Sequence, residues 1–197
     1  MLSEIRPAIV STVLFTLLLG LAYPLAVTGI GRLAFPWQAE GSLLRDASGK
    51  VIGSALIAQP FSRPENLHPR PSAAGSNGYD ASASSGSNYG PLNADLAKRV
   101  KGDADALRAS TGHAEIPDDA VTTSGSGLDP DISPAYALLQ ADRVAKARGV
   151  PAQAVRRLIS DHVDGPFLGF IGQPRVNVLE TNLALDARFP VHATPKS

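Results

Sequence analysis

The chain has 197 residues, with 18 Lys and Arg against 18 Asp and Glu, so its formal net charge is zero and nothing calls for a nucleic-acid partner, which needs a basic face. The absence of cysteine excludes disulfides, Cys-ligated metals, iron–sulfur clusters and a thiol nucleophile. With 18 glycines and 16 prolines, much of the chain outside regular elements should be ordered loop.

From Pro7 to Gly31 there is no Asp, Glu, Lys or Arg; Arg6 closes one end and Arg32 the other. A hydrocarbon core about 30 Å thick needs roughly 20 apolar residues as helix, so this run predicts a transmembrane helix. Trp37, in Phe35-Pro36-Trp37, would sit at headgroup depth. A cleaved signal peptide fits worse. Arg6 is offset by Glu4, the apolar run is too long, and Tyr23-Pro24-Leu25-Ala26-Val27 is a poor cleavage site. Ala8, Thr12, Thr16, Gly20, Pro24 and Thr28 recur every four residues. Such a stripe of small residues admits a second helix, although threonine hydroxyls also bond back to their own helix. Pro24, lacking an N–H, should kink the helix against Gly20. Lys and Arg near the span mildly favour a cytoplasmic C-terminal side, a weak signal because long domains cross largely regardless of charge.

Roughly 160 residues follow, enough for one domain with its own core. Gly41 to Ala58 reads as a hairpin, Ser42–Arg45 against Val51–Ala58, about a turn at Asp46–Lys50. Gln59 to Pro91 is irregular, with Pro60, Pro64, Pro69 and Pro71 barring a long helix. Its Ser/Gly/Asn-rich part, Gly75 to Gly90, could be a flexible linker, but Tyr79, Tyr89 and the Pro-rich run before it favour order. A helix runs from Pro91 or Leu92 to about Ser110, with Leu92, Leu96, Val100 and Leu107 inward. A second covers Pro134 to Arg148, capped by Ser133 and stopped by Gly149, and a third Pro151 to His162. Phe167–Ile171 and Val176–Glu180 form a second hairpin, and a short helix over Leu183–Ala187, capped by Asn182, leads to the tail. The expected fold is a single N-terminal transmembrane helix plus one α+β soluble domain with two hairpins and about three or four helices. It divides into a tail over 1–6, the span over 7–31, the domain over 32–190 and a disordered tail over 191–197.

Catalytic patterns are sparse. The stretch Thr123–Gly127 before a capped helix could meet an anion, but a P-loop and a three-glycine dinucleotide motif are absent, and Asp129 and Asp131 would repel phosphate. Ser124 or Ser126 as a nucleophile would lack the G-x-S-x-G pattern. The only imidazole bases are His68, His113, His162 and His192, none with metal-ligand spacing. An independent enzyme, such as a membrane-anchored hydrolase, is the lesser reading.

Taken together, several stretches resemble one family. They are Tyr23-Pro24, Phe35–Ala39 with Gly41–Leu43, Gly53–Ile57, Arg70-Pro71-Ser72-Ala73 and Gly86-Ser87-Asn88. Ser126–Asp129 through Ile132–Pro134, Arg143–Arg148 and Gly172–Glu180 complete the set. The chain resembles the C subunit of the Kdp-type potassium-transporting ATPase, a bacterial inner-membrane pump complex. It departs at Leu67, where an aromatic is usual, at Ser85-Gly86, where a double glycine is usual, and at Thr181, where leucine is usual. The resemblance implies a non-catalytic subunit with no cofactor of its own. Its partners would be a potassium-selecting A subunit, an ATP-hydrolysing B subunit and a small single-span subunit. Two roles are implied. One is assembly and an extracytoplasmic, entrance-side function, with the domain in the periplasm. The alternative is a catalytic chaperone touching ATP together with the B subunit, through loop residues Ser87, Asn88, Ser124, Gly125, Ser126 and Gly127. In either case Thr12, Thr16, Gly20, Pro24 and Thr28 would face a partner helix.

Overall fold

A computed structural model describes residues 2–46 and 48–191. Ala47, inside the first hairpin turn, and the expected tail from His192 onward lie outside the described residues. The chain divides into two compact units between Ser54 and Ala55.

The first unit is dominated by one apolar helix, α1 (Ile5–Ala34). Its 30 residues, at about 1.5 Å each, give roughly 45 Å, longer than a hydrocarbon core. It starts before Pro7, because a proline in the first helical turn gives up an N–H that has no intrahelical acceptor there. It ends at Phe35 (φ −137°, ψ 60°), directly ahead of Pro36, which disfavours helical geometry in the residue before it. Inside α1, Leu18–Ala22 widen into a π turn, and the Tyr23 N–H donates to the Leu18 carbonyl five residues back. Pro24 follows at once. The register change thus sits where proline leaves the helical ladder short of a donor.

A single turn, α2 (Pro36–Ala39), leads into the hairpin of β1 (Leu43–Arg45) and β2 (Val51–Ser54). Leu43 pairs with Ser54 and Leu44 with Gly53, and a bulge precedes Arg45. Asp46 Oδ1 accepts from the Ser48 and Lys50 N–H groups at 2.9 and 3.0 Å, and Gly49 supplies φ +82°. The second strand is shorter than expected. Ala55 and Ala58 turn into the core of the other unit while Leu56 stays exposed, so the chain leaves the sheet at Ser54.

The second unit is α+β. Its helices are α3 (Ala94–Thr111), α4 (Pro134–Leu139), α5 (Ala141–Arg148), α6 (Ala152–Asp161) and α7 (Val178–Arg188). Strands β3 (Asp131–Ile132), β4 (Val163–Asp164) and β5 (Arg175–Asn177) form an antiparallel sheet in the order β3-β5-β4. Leu67, Val144, Val155, Ile159, Val176 and Leu185 are fully buried at its centre.

Four expectations need correction. The first predicted helix starts later, because the Asn93 side chain accepts from the Asp95 and Leu96 N–H groups as N-cap; Leu92, expected inward, is 98% exposed. The helix expected over 134–148 is interrupted at Gln140, whose side chain is engaged elsewhere. The second hairpin forms with a different first strand, β4 in place of Phe167–Ile171, which lies in the connection between β4 and β5. Val176 pairs with Ile132 on one side and Val163 on the other, and Phe167 bridges only to Ile171. Asn177 then caps α7 by accepting from the Glu180 N–H at 3.1 Å, so Val178–Glu180 is helix. Asn182, expected as a cap, lies buried inside that helix.

Candidate functional site

The segment from Arg63 to Ser72 forms a strap in the second unit: a turn over Arg63–Asn66, closed by the Asn66 N–H on the Arg63 carbonyl at 3.1 Å, then chain outside any helix or strand from Leu67. Prolines keep it out of helix, so its buried peptide groups need partners from side chains. Asn182 of α7 supplies two: its Oδ1 accepts from the Leu67 N–H at 2.7 Å and its Nδ2 donates to the Leu67 carbonyl at 3.0 Å. Gln140 repeats the pattern on the next residue, accepting from the His68 N–H at 2.8 Å and donating to the His68 carbonyl at 3.0 Å. Two side-chain amides thus replace a neighbouring strand. The buried Arg148 donates to the carbonyls of Glu65 and Phe189 and to Asp186 at 2.8 Å. Arg143 donates to the Pro64 carbonyl and to Gln140 Oε1. The His68 ring Nε2 lies 3.0 Å from the Arg63 carbonyl and 3.2 Å from Arg143 Nη1. Burial, and then the Arg143 charge, hold its pKa below the usual histidine range.

The strap carries Arg70 and Ser72 to the serine- and glycine-rich loops. Arg70 pairs with Asp129 at 2.9 Å and also reaches Thr122 and Thr123. Tyr79 donates its hydroxyl to the Arg70 carbonyl at 2.7 Å, and burial raises its pKa. The expected contact residues Ser87, Asn88, Ser124, Gly125, Ser126 and Gly127 lie on two loops that are zipped together. The Ser85 N–H and the Ser84 hydroxyl both donate to the Ser126 carbonyl at 3.0 Å. Ser126 Oγ accepts from the Leu128 N–H, and Ser124 Oγ lies 3.4 Å from it. Gly127 has φ +67°, and a Cβ there would lie 2.5 Å from the Ser85 carbonyl oxygen. At Gly86 a Cβ would come within 3.1 Å of the Gly125 carbonyl oxygen. Glycine at both positions answers to close backbone approach. The N–H groups of Ser85, Gly127 and Leu128 point at oxygens of the loops themselves.

No described histidine hydrogen-bonds to Ser124 or Ser126; His162 Nδ1 meets the Leu158 carbonyl, and His192 lies outside the described residues. Beside the loops, an open cleft of about 430 Å³ is lined by Arg70, Asp119, Asp129, Asp131 and Arg175, among others. Its charges are largely paired: Arg175 meets Asp131 at 3.1 Å, and burial raises the Asp131 pKa against that pull. Among the described residues no group of three His, Asp or Glu side chains is placed to hold a metal ion.

In the first unit, Thr12, Thr16, Gly20, Pro24 and Thr28 are all exposed, as is the rest of the apolar surface of α1. Thr16 Oγ1 bonds back to the Thr12 carbonyl at 2.7 Å. Gly20, in the π turn, has nothing within 4 Å of where a Cβ would stand. The strap clamps were not among the sequence-derived candidates. Their only sequence signal is polar residues, Gln140 and Asn182, at positions where a helix would bury apolar ones.

These features define a class: a chain that joins one helix long and apolar enough to cross a bilayer to an α+β unit with self-closed serine- and glycine-rich loops. A family model described as KdpC, K+-transporting ATPase, c chain, matches residues 5–187, and the chain belongs to that family. Proteins named potassium-transporting ATPase KdpC subunit are similar along nearly its whole length. One from Caulobacter sp. (strain K31) is 69% identical over 192 residues, covering 98% of this chain and 97% of the relative. Another, from Caulobacter vibrioides (strain NA1000 / CB15N), is 68% identical over 196 residues, covering 100% and 99%. One from Beijerinckia indica is 62% identical over 197 residues, covering 99% of each chain. The helix and the family together indicate a membrane location.

Proposed function

We propose that this chain is a non-catalytic accessory subunit of an ATP-driven potassium uptake complex, anchored in the bacterial inner membrane by α1. The carrying observation is that α1, an apolar helix of 30 residues, has no buried residue among those described. Lipid satisfies most of such a surface, and the stripe through Thr12, Thr16, Gly20, Pro24 and Thr28 offers a close approach to a second helix. The partners are the potassium-selecting and ATP-hydrolysing subunits and a small single-span subunit. The chain stabilises that assembly and assists the ATP-hydrolysing subunit through coupling across membrane helices, with the α+β unit in the periplasm. Direct ATP contact through Ser87, Asn88 and Ser124–Gly127 is the weaker reading, since those loops turn several N–H groups on each other and Arg70 is already paired.

The test is co-expression with the remaining subunits. The purified chain should hydrolyse no ATP, and its omission should lower recovery of the intact complex. Gly20→Leu should lower recovery while leaving the melting of the isolated chain unchanged. Full recovery of an active complex without the chain would sink the proposal.

A further inference from the structure

One surface of the α+β unit is unlike the rest. Between Asp164 and Arg175 the chain has no ionisable residue, and four large apolar side chains occupy five consecutive positions. Phe167 is 70% exposed, Leu168 69%, Phe170 76% and Ile171 51%. Single exposed apolar residues are ordinary, but a contiguous group marks a contact surface.

The loop is a shaped knob. Phe167 and Ile171 exchange two backbone hydrogen bonds at 2.9 Å each. The Gly169 and Phe170 N–H groups donate to the Pro166 and Phe167 carbonyls. Four of its five N–H groups are therefore satisfied from within, which lowers the cost of a dry contact. Leu168 has φ +53°, a left-handed conformation unfavourable for leucine, and no burial of its side chain offsets the strain. The fold holds an apolar tip in a fixed, strained shape without using it in its own core.

The charges around the tip select the occupant. Arg175 at the base of the knob pairs with Asp131 at 3.1 Å and lies 3.7 Å from Asp164, so its charge is already met by two carboxylates. It offers no basic collar for anionic headgroups, the usual companion of apolar insertion into a bilayer. An uncharged tip above an already paired cation complements an uncharged apolar recess, and its fixed shape suits a pocket of fixed shape. We propose that the knob Phe167–Ile171 seats in an apolar recess on another subunit of the potassium-transporting ATPase. This rests on the accessory-subunit reading above and adds a second contact to that of α1.

The chain has no cysteine, so Phe170→Cys introduces a single thiol at an exposed position. Its labelling by a maleimide would be compared in three states: the chain alone in detergent, the chain alone in vesicles of phosphatidylethanolamine and phosphatidylglycerol, and the co-expressed complex in detergent. Burial at an interface should slow labelling about tenfold in the complex and not in vesicles. Phe167→Ser with Phe170→Ser should lower recovery of the other subunits, while the melting of the isolated chain stays unchanged. Equal labelling in the complex and the chain alone would overturn the knob while leaving the accessory reading intact. Slowing in vesicles alone would assign the knob to the bilayer and likewise overturn it. Failure of the chain to recover any other subunit would overturn both.

Discussion

Gly127 shows how a glycine that reads as a nucleotide-loop residue can have a packing cause. Its φ is +67°, and a side chain there would meet the Ser85 carbonyl oxygen and the Ala74 nitrogen at 2.5 and 2.8 Å, both backbone atoms. Gly127→Ala should therefore destabilise the unit by about 2–4 kcal/mol in chemical denaturation, from left-handed strain and overpacking together. Gly125→Ala, with nothing within 4 Å of its Cβ, should change stability by less than about 0.5 kcal/mol. Equal losses at the two positions would contradict this account of the paired loops. His68 provides a pH signature. Its folded pKa lies below the ordinary histidine value, so as pH falls past about 6.5 the unfolded chain takes up the proton first and stability is lost. The melting temperature should drop between about pH 7.5 and about pH 5.5, and His68→Gln should flatten part of that drop. A slope unchanged in the variant would remove His68 from the explanation.

At the scale of elements, the strap from Arg63 to Ser72 binds the helices together. Asn182 on α7 and Gln140 between α4 and α5 each clamp both polar groups of one strap residue. Asn182→Leu leaves the buried Leu67 N–H and carbonyl unpaired and should cost about 3 kcal/mol, read from a denaturant midpoint with an unchanged slope. A loss below about 1 kcal/mol would mean that water replaces the amide. Two elements read differently from sequence alone. Periodicity alone runs one helix through Gln140, because a helical φ of −85° and a following helical stretch conceal the break. The apolar alternation around Val176 reads as a strand paired with Phe167–Ile171, but its partners are Val163, on the preceding strand, and Ile132, 44 residues away. Where the cap was a local matter, as at Ser133, whose hydroxyl accepts from the Tyr136 N–H, sequence and structure agree.

For the whole molecule, the consequential question is which side of the membrane holds the α+β unit. Ser87→Cys, on a half-exposed loop residue, should react with an impermeant thiol reagent on intact cells if that unit is periplasmic. Protection until lysis would place it in the cytoplasm and restore direct nucleotide contact as the leading role. The long apolar helix was legible because length and absence of charge suffice to define it. The first hairpin turn, the Gly149 stop and the Ser133 cap were legible because their causes lie within a few residues. Family membership was legible because many short stretches agree along the chain. The three-stranded sheet, the clamped strap and the closure of the two serine- and glycine-rich loops depended on tertiary structure. Their hydrogen bonds join residues as far apart as Leu67 and Asn182, and no local pattern of hydrophobicity or propensity encodes which distant polar group will satisfy a buried one.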